Sequence, residues 1–325
     1  MGLALSSCLE AVLPAKQRVY TVHGRRLRTV SLLGEGGNAL VYLVQDTSTR
    51  ERFALKRIAV QDQDGLQDAL WEVGVHKAFD HPGLLPLLDY VVLDAARGKE
   101  GKEVLLLLPY IAGGTLQDYL DALAVAGSRM PEEEIWDIFT AVCVAVRELH
   151  THDPQWAHRD IKPLNVLLSE GKDPVLMDFG STAMARVYVQ NRAQAMALQE
   201  VAEARTSPYF RPPELFTVTS DCVIDERVDI WALGCLLYAC AFRFSPFESA
   251  YVDQGGSVAL AVLNKIKFPE DHPYSPGLCN LIRYMLTVNW EERPNIEQVL
   301  DAIDKVSATP APAGDPADTA APTAT

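Results

Sequence analysis

The chain has 325 residues, with 29 Lys+Arg against 43 Asp+Glu, and so a formal net charge of −14. Apolar residues make up 48% and charged residues 22%, an ordinary balance for a folded chain that buries a large core without disulfide or metal staples. Collagen, a wholly disordered chain and a disulfide scaffold are excluded, and the acidic balance argues against nucleic-acid binding, which needs a Lys/Arg surplus on the bound face. The six cysteines, at 8, 143, 222, 235, 240 and 279, form no C-x-x-C pair and no zinc spacing. Cys143, Cys235 and Cys240 stand in apolar text and read as buried thiols of a reducing compartment. The longest near-continuous apolar run, Ile230 to Phe242, has thirteen residues where a membrane span needs ~20, so a core helix is expected there. A secretory leader is not expected, because no basic-then-apolar segment opens the chain.

In chain order, residues 1 to 15 are mostly small and apolar and fit neither a strand nor an amphipathic helix. Val19 to Val22, Leu40 to Val44, Arg52 to Ile58 and Val104 to Leu108 read as strands. Among them, Leu66 to Phe79 has apolar residues at helical spacing and stops before His81-Pro82. Arg97 to Lys102 reads as a charged hairpin connection. After Gly113-Gly114 the pattern turns helical: Pro131 followed by Glu132, Glu133 and Glu134 starts an amphipathic helix that runs to His150. Arg192 to Arg205, rich in Ala, Gln, Glu and Leu, predicts a further helix with Leu198, Val201 and Ala202 on one face. From Ala308 to Thr325 only Ala, Thr, Pro, Gly and Asp occur, a disordered tail by composition. No internal repeat is present.

Gly34-Glu35-Gly36-Gly37 lies between two strand patterns, with Val41 close behind. Glycines there let backbone N–H groups approach phosphate oxygens, although taken alone the string reads better as a plain glycine hairpin. Lys56 lies in the apolar strand Ala54-Leu55-Lys56, where a solvent-facing lysine is the ordinary reading. His158-Arg159-Asp160-Ile161-Lys162-Pro163-Leu164-Asn165 changes the weighing, and Asp178-Phe179-Gly180 follows a further short strand. A lysine, a carboxylate, an amide and a second carboxylate in this order meet the needs of phosphoryl transfer. The lysine positions phosphates, the first carboxylate orients the nucleophile, and the amide and second carboxylate hold metal.

With these motifs the chain resembles the eukaryotic protein kinases from about Tyr20 to Val306. The resemblance implies an α+β, two-lobed fold, a small antiparallel sheet with one main helix followed by a larger, mostly helical lobe. The kinase domain would span 18–306, with lobes at about 18–109 and 112–306, between an N-terminal lipidation segment at 1–17 and a tail at 307–325. It implies ATP and Mg²⁺ as cofactors and Ser/Thr hydroxyls of proteins as acceptors. Gly34, Glu35, Gly36, Gly37, Val41, Ala54, Leu108, Pro109 and Ile111 would line the ATP site, with Leu108 as gatekeeper and Pro109, Tyr110 and Ile111 as the hinge. Lys56 would contact phosphates, Glu72 would pair with it, Asp160 would be the catalytic base with Lys162 beside it, and Asn165 and Asp178 would hold the metal. Arg293 should pair with Glu214, and Asp229 to Gly234 match the anchor helix of the family. His76, four residues after Glu72, should pack toward Phe179. Lys162 and Ser207-Pro208 point to the serine/threonine branch. Ala39 replaces the third loop glycine and Pro212 the usual alanine; neither removes a catalytic group.

Gly34 to Gly37, Pro174 to Asp178, Cys222 to Arg227 and Gly256 to Val262 resemble the Numb-associated kinase family, and within it the small myristoylated and palmitoylated member of the secretory pathway. That resemblance implies an extra helix in the activation segment at 192 to 205. Met1-Gly2-Leu3-Ala4-Leu5-Ser6 fits the myristoylation pattern at Gly2, and Cys8 is a nearby palmitoyl acceptor. Membrane attachment through these lipids, at the cytoplasmic face of the Golgi and secretory membranes with a cytosolic fraction, is the resulting expectation. The alternatives are a nucleotide-binding pseudokinase scaffold and a membrane-anchored adaptor.

Overall fold

The computed structural model describes residues 18–95, 101–248 and 256–307. The N-terminal lobe is a six-stranded antiparallel sheet of order β1-β2-β3-β4-β6-β5. Its strands are β1 (Val19–Val22), β2 (Arg25–Gly36), β3 (Ala39–Asp46), β4 (Arg52–Val60), β5 (Asp89–Asp94) and β6 (Lys102–Pro109). Side chains alternate across the sheet, so β4 and β6 feed two cores. Phe53, Leu55, Leu105 and Leu107 join Val22, Leu27 and Val44 on one face. Ala54, Val104, Leu106 and Leu108 pack on the other, against Ala69 and Val73 of helix α1 (Gln63–Ala78). Lys56 shares the parity of Ala54, which sends it toward α1 and not to solvent.

Two strands of this sheet fall outside the strand runs read from the sequence. In β2 only Leu27 and Thr29 are buried, and its pairing with β1 and β3 makes it a strand. In β5, Asp89-Tyr90-Val91-Val92-Leu93-Asp94, no residue is fully buried, as suits the sheet's edge. Helix α1 starts at Gln63, three residues before the apolar spacing begins, because Asp62 caps it by accepting from Gly65 N at 2.8 Å. The β5–β6 ladder closes at Asp94 and Lys102, while residues 97 to 100 of the expected hairpin connection lie outside the described residues.

Helices α2 (Leu116–Val125) and α3 (Glu132–Thr151) open the C-terminal lobe, followed by short strands β7 (Trp156–Ala157), β8 (Val166–Leu168), β9 (Pro174–Leu176), β10 (Ala183–Met184) and β11 (Val187–Val189). Then come α4 (Arg192–Arg205), α5 (Pro213–Phe216), β12 (Cys222–Ile224), α6 (Arg227–Phe242), α7 (Val258–Ala261), α8 (Pro276–Met285) and α9 (Ile296–Ser307). Every residue of α6 from Val228 to Phe242 is buried, the mark of a helix enclosed on all sides. It joins α3, α8 and α9 in one contiguous core. Cys143, Cys235 and Cys240 are buried free thiols in that core, and burial pushes the Cys240 thiol up to about 12. Among the described residues no helix is long and apolar enough to cross a membrane.

Helix α4 occupies the expected residues, but its buried face is different. Ala195 and Ala202 are buried with Leu198 packed beside Leu215, whereas Val201 is 43% exposed. Positions 195, 198 and 202 make a narrow stripe, and Val201 lies a further 60° or so round the helix, at its rim.

Candidate active site

The parity that turns Lys56 toward α1 brings its Nζ within 2.6 Å of Glu72 Oε1 and 2.7 Å of Asp178 Oδ1. Burial pushes the Lys56 ammonium down, but the two carboxylates outweigh it and hold the pKa above its ordinary value. Burial raises the Glu72 carboxyl, with Lys56 pulling against it. Asp178 is also desolvated, yet Lys56 keeps its carboxyl below the usual value. His76, one turn beyond Glu72, meets the Phe179 ring edge-on at 4.8 Å and bonds the Leu85 carbonyl through Nδ1 at 2.9 Å. Burial pushes its imidazole down to about 4.

A second set gathers on the loop after β7. Asp160 Oδ2 accepts from Lys162 Nζ at 2.7 Å and Asn165 Nδ2 at 3.0 Å, while Oδ1 accepts the Ser207 N–H at 3.0 Å. Lys162 Nζ also donates to Ser207 Oγ at 2.7 Å. The loop itself hangs from α6. Asp229, fully buried, accepts from the backbone N–H groups of His158 (2.7 Å) and Arg159 (2.8 Å) and bonds His150 Nε2 at 2.9 Å. Burial would push the Asp229 carboxyl up, but the bonds from His150 and Arg159 outweigh it and lower the pKa. Arg159 and Asp178 both have positive φ, 67° and 65°, so each turn aims the next side chain against the default twist. The Met177 N–H donates to the Asn165 carbonyl at 2.9 Å, which sets Asp178 beside the loop that bears Asp160.

Above them, Gly34 pairs with Val41 and Gly36 with Ala39, so the glycine string is a β2–β3 hairpin. Gly37 has φ +48°, and a Cβ at Gly34, Gly36 or Gly37 would meet no atom within 4 Å, so the hairpin borders open space. Glu35 is exposed on it. Ala54 and Leu108 are buried in one apolar layer, with Val41, Ile111, Leu167 and Met177 packed on it. Pro109 pairs with Phe53 at the end of β6. That layer is apolar and draws on both lobes, Val41, Ala54 and Leu108 from one and Leu167 and Met177 from the other. For a cation, Asn165 commits Nδ2 to Asp160, and its Oδ1 accepts no hydrogen bond among the described residues. The Asp178 side chain is 46% exposed. One carboxylate and one amide oxygen, completed by phosphate oxygens, suit a small hard ion such as Mg²⁺.

Away from the cleft, Arg293 meets Glu214 in a buried two-pronged pair at 2.7 and 2.9 Å and also bonds the carbonyls of Thr287 and Arg227. Gly2 and Cys8 lie outside the described residues. Sequence reading passed over His150, Trp71, and the part Ser207 plays beside Asp160; each acts through a partner 47 to 111 residues away, which no local pattern announces.

Residues 27–302 match the protein kinase domain family. The chain is 37% identical to serine/threonine-protein kinase 16 of Rattus norvegicus, the match covering 96% of this chain and 98% of the relative. It is 33% identical to a probable serine/threonine-protein kinase of Dictyostelium discoideum, over 94% of this chain and 99% of the relative. Serine/threonine-protein kinase ppk13 of Schizosaccharomyces pombe is 35% identical, over 88% and 92%.

Proposed function

The chain belongs to the protein kinase family and is a serine/threonine protein kinase; from that premise we propose how its own residues carry the reaction. The base of ATP enters the slot of Val41, Ala54, Leu108 and Ile111, with the backbone of Pro109 to Ile111 at its edge, and the hairpin of Gly34 to Gly37 covers the phosphates. Lys56, kept charged by Glu72, binds phosphate oxygens as a point charge. Asn165 and Asp178 would hold Mg²⁺, which would supply charge neutralisation for the transferring phosphoryl group. Asp160 accepts the proton of the incoming Ser or Thr hydroxyl and orients its oxygen for in-line attack. Lys162 steadies Asp160 and reaches the γ-phosphoryl. Ser207 ties the segment that receives the acceptor to both.

The observation that carries this reading is that both sets are complete and bonded: Lys56 to Glu72 and Asp178, and Asp160 to Lys162, Asn165 and Ser207. A scaffold without catalysis would not need Asp160 and Asp178 together. Incubating the purified chain with labelled ATP, Mg²⁺ and a generic protein substrate tests it. Label on serine and threonine that vanishes with Asp160→Asn is the expected result, and no transfer by the wild-type chain would overturn it.

We further propose that the kinase domain spans 18–306 and belongs to the Numb-associated kinases, as the Cys222 to Arg227 text and the helix at 192–205 support. In this reading Gly2 carries myristate and Cys8 palmitate, and the protein resides on the cytoplasmic face of Golgi and secretory-pathway membranes, with a cytosolic fraction. A myristoyl chain alone binds a bilayer with K on the order of 10⁴ M⁻¹, so stable attachment takes the second chain. Fractionation of cells expressing Gly2→Ala tests this; a variant that still pellets with membranes would overturn it.

A further inference from the structure

Asp68, Trp71 and Glu72 stand at i, i+3 and i+4 on α1 and therefore share one side of that helix. Glu72 reaches Lys56, and its two neighbours reach the activation segment. Trp71 Nε1 donates to the Thr182 carbonyl at 2.7 Å, four residues past Asp178. Asp68 Oδ2 accepts from Arg205 Nη2 at 2.5 Å, at the last residue of α4. Ser181 Oγ donates to the Arg205 carbonyl at 2.6 Å, so the two ends of the segment are joined where both touch α1.

The Trp71 ring does a second thing. It lies 5.2 Å from the Trp156 ring, which in turn meets Phe79 edge-on at 6.0 Å. Trp156 pairs with Met184 in the β7–β10 ladder, and Trp156-Ala157 runs directly into the loop that bears Asp160. Trp71 thus touches both chains of the ladder, one leading to Asp160 and one leaving Asp178.

We infer that Trp71 is a positioning residue, fastening α1 to the β7–β10 ladder at the rotation where Glu72 meets Lys56. The Asp68–Arg205 pair is an auxiliary tie, since both side chains are largely exposed, and exposed pairs contribute little. The indole, 40% exposed overall, is suited to the task because one side chain supplies both a part-buried hydrogen bond and a tilted ring contact. The inference rests on the proposed part of Lys56 and Glu72 in holding ATP.

The test is steady-state kinetics of the full chain with Trp71→Leu, Trp71→Phe, Glu72→Gln and the double variant Trp71→Leu/Glu72→Gln. Trp71→Leu should lower kcat/KM for ATP by about ten-fold, from loss of the bond and the ring contact, and Trp71→Phe by less, because it keeps a ring. The double variant should be no worse than Glu72→Gln alone, because both act through one contact. Rates within two-fold of wild type in both Trp71 variants would overturn the inference, as would losses that multiply in the double variant. If Trp71→Leu does not fold, Trp71→Phe carries the cycle with the same two outcomes. If instead Glu72→Gln leaves kcat/KM for ATP unchanged, the reading of the Lys56–Glu72 pair fails, which is a different result.

Discussion

The catalytic loop of the larger lobe and the Lys56–Glu72 pair of the smaller lobe meet across one cleft, yet they are held by different means. Asp229 fixes the loop by accepting two backbone N–H groups, and it stands on a helix whose residues from Val228 to Phe242 are all buried in one contiguous core. Glu72 has no such support. It projects from α1, which packs Ala69 and Val73 into the smaller cluster under the sheet and Val75 into the main core, and its side-chain partners are Lys56 and, at 4.0 Å, His76. The difference separates two kinds of damage. Changes around α6 and its partners should cost stability first. Changes at the Lys56, Glu72 and Asp178 cluster should cost rate while the fold persists.

The largest expected effect sharpens the second half of that contrast. Asp178→Asn removes the carboxylate proposed to hold Mg²⁺ and should lower turnover by at least about a hundred-fold, since metal-assisted charge stabilisation is worth several kcal/mol. The loss should persist when Mg²⁺ is raised, and the melting temperature should stay within a few degrees. Unchanged turnover would remove Asp178 from the metal site.

Arg293→Met probes the first half. It strands the Glu214 carboxylate in the interior, where breaking such a pair costs ~3–5 kcal/mol. A melting temperature lower by about 10 °C, read by scanning fluorimetry, is expected, with measurable activity kept in the cold. A melt at the wild-type temperature would contradict the view that the α6 region carries stability.

Helix α4 lies between the two regimes. Gln199→Pro removes an internal helical bond and costs ~3 kcal/mol locally. Because only Ala195 and Ala202 of α4 are buried, activity should fall while the main melting transition moves little. Wild-type phosphorylation of a protein substrate by this variant would show that α4 plays no part in the reaction.

A smaller effect is the pH response of His76, whose imidazole is pushed by burial down to about 4, below its unfolded value near 6.5. The unfolded chain binds the proton more readily between these values, so stability is full above about pH 6.5 and declines as pH falls toward 4, by ~3 kcal/mol at most. Urea melts at pH 7.5 and 5 should show this slope in the wild type and a shallower one in His76→Leu. Equal slopes would place the acid sensitivity elsewhere.

Lys56, Asp160, Asn165 and Asp178 were legible in the sequence because each stands in a short motif whose spacing survives without the fold. The range of α4 was legible from its helix-forming composition. Its buried face was not, because Ala195 and Ala202 are too small to mark a stripe and Val201 outweighs them in apolarity. Strand β2 is mostly exposed, and its register shifts between Thr29 and Ser31 and between Leu32 and Gly34 break any regular alternation, so its partners make it a strand. Trp71 meets Thr182 across 111 residues, Ser207 meets Asp160 across 47 and His150 meets Asp229 across 79. Contacts of that range, two within the larger lobe and one between the lobes, exist only once the chain has folded.

Glu72→Gln divides the two halves of the site most directly, with turnover and melting temperature read on one preparation. The exchange keeps the shape of the side chain and removes the charge that holds Lys56, while Asp178 stays within 2.7 Å of the ammonium. Phosphoryl transfer reduced by about a hundred-fold, with a melting temperature within about 4 °C of wild type, is the predicted outcome. A melting temperature that collapses together with the activity would contradict it, because the smaller lobe's pair would then be holding the fold as well as the rate.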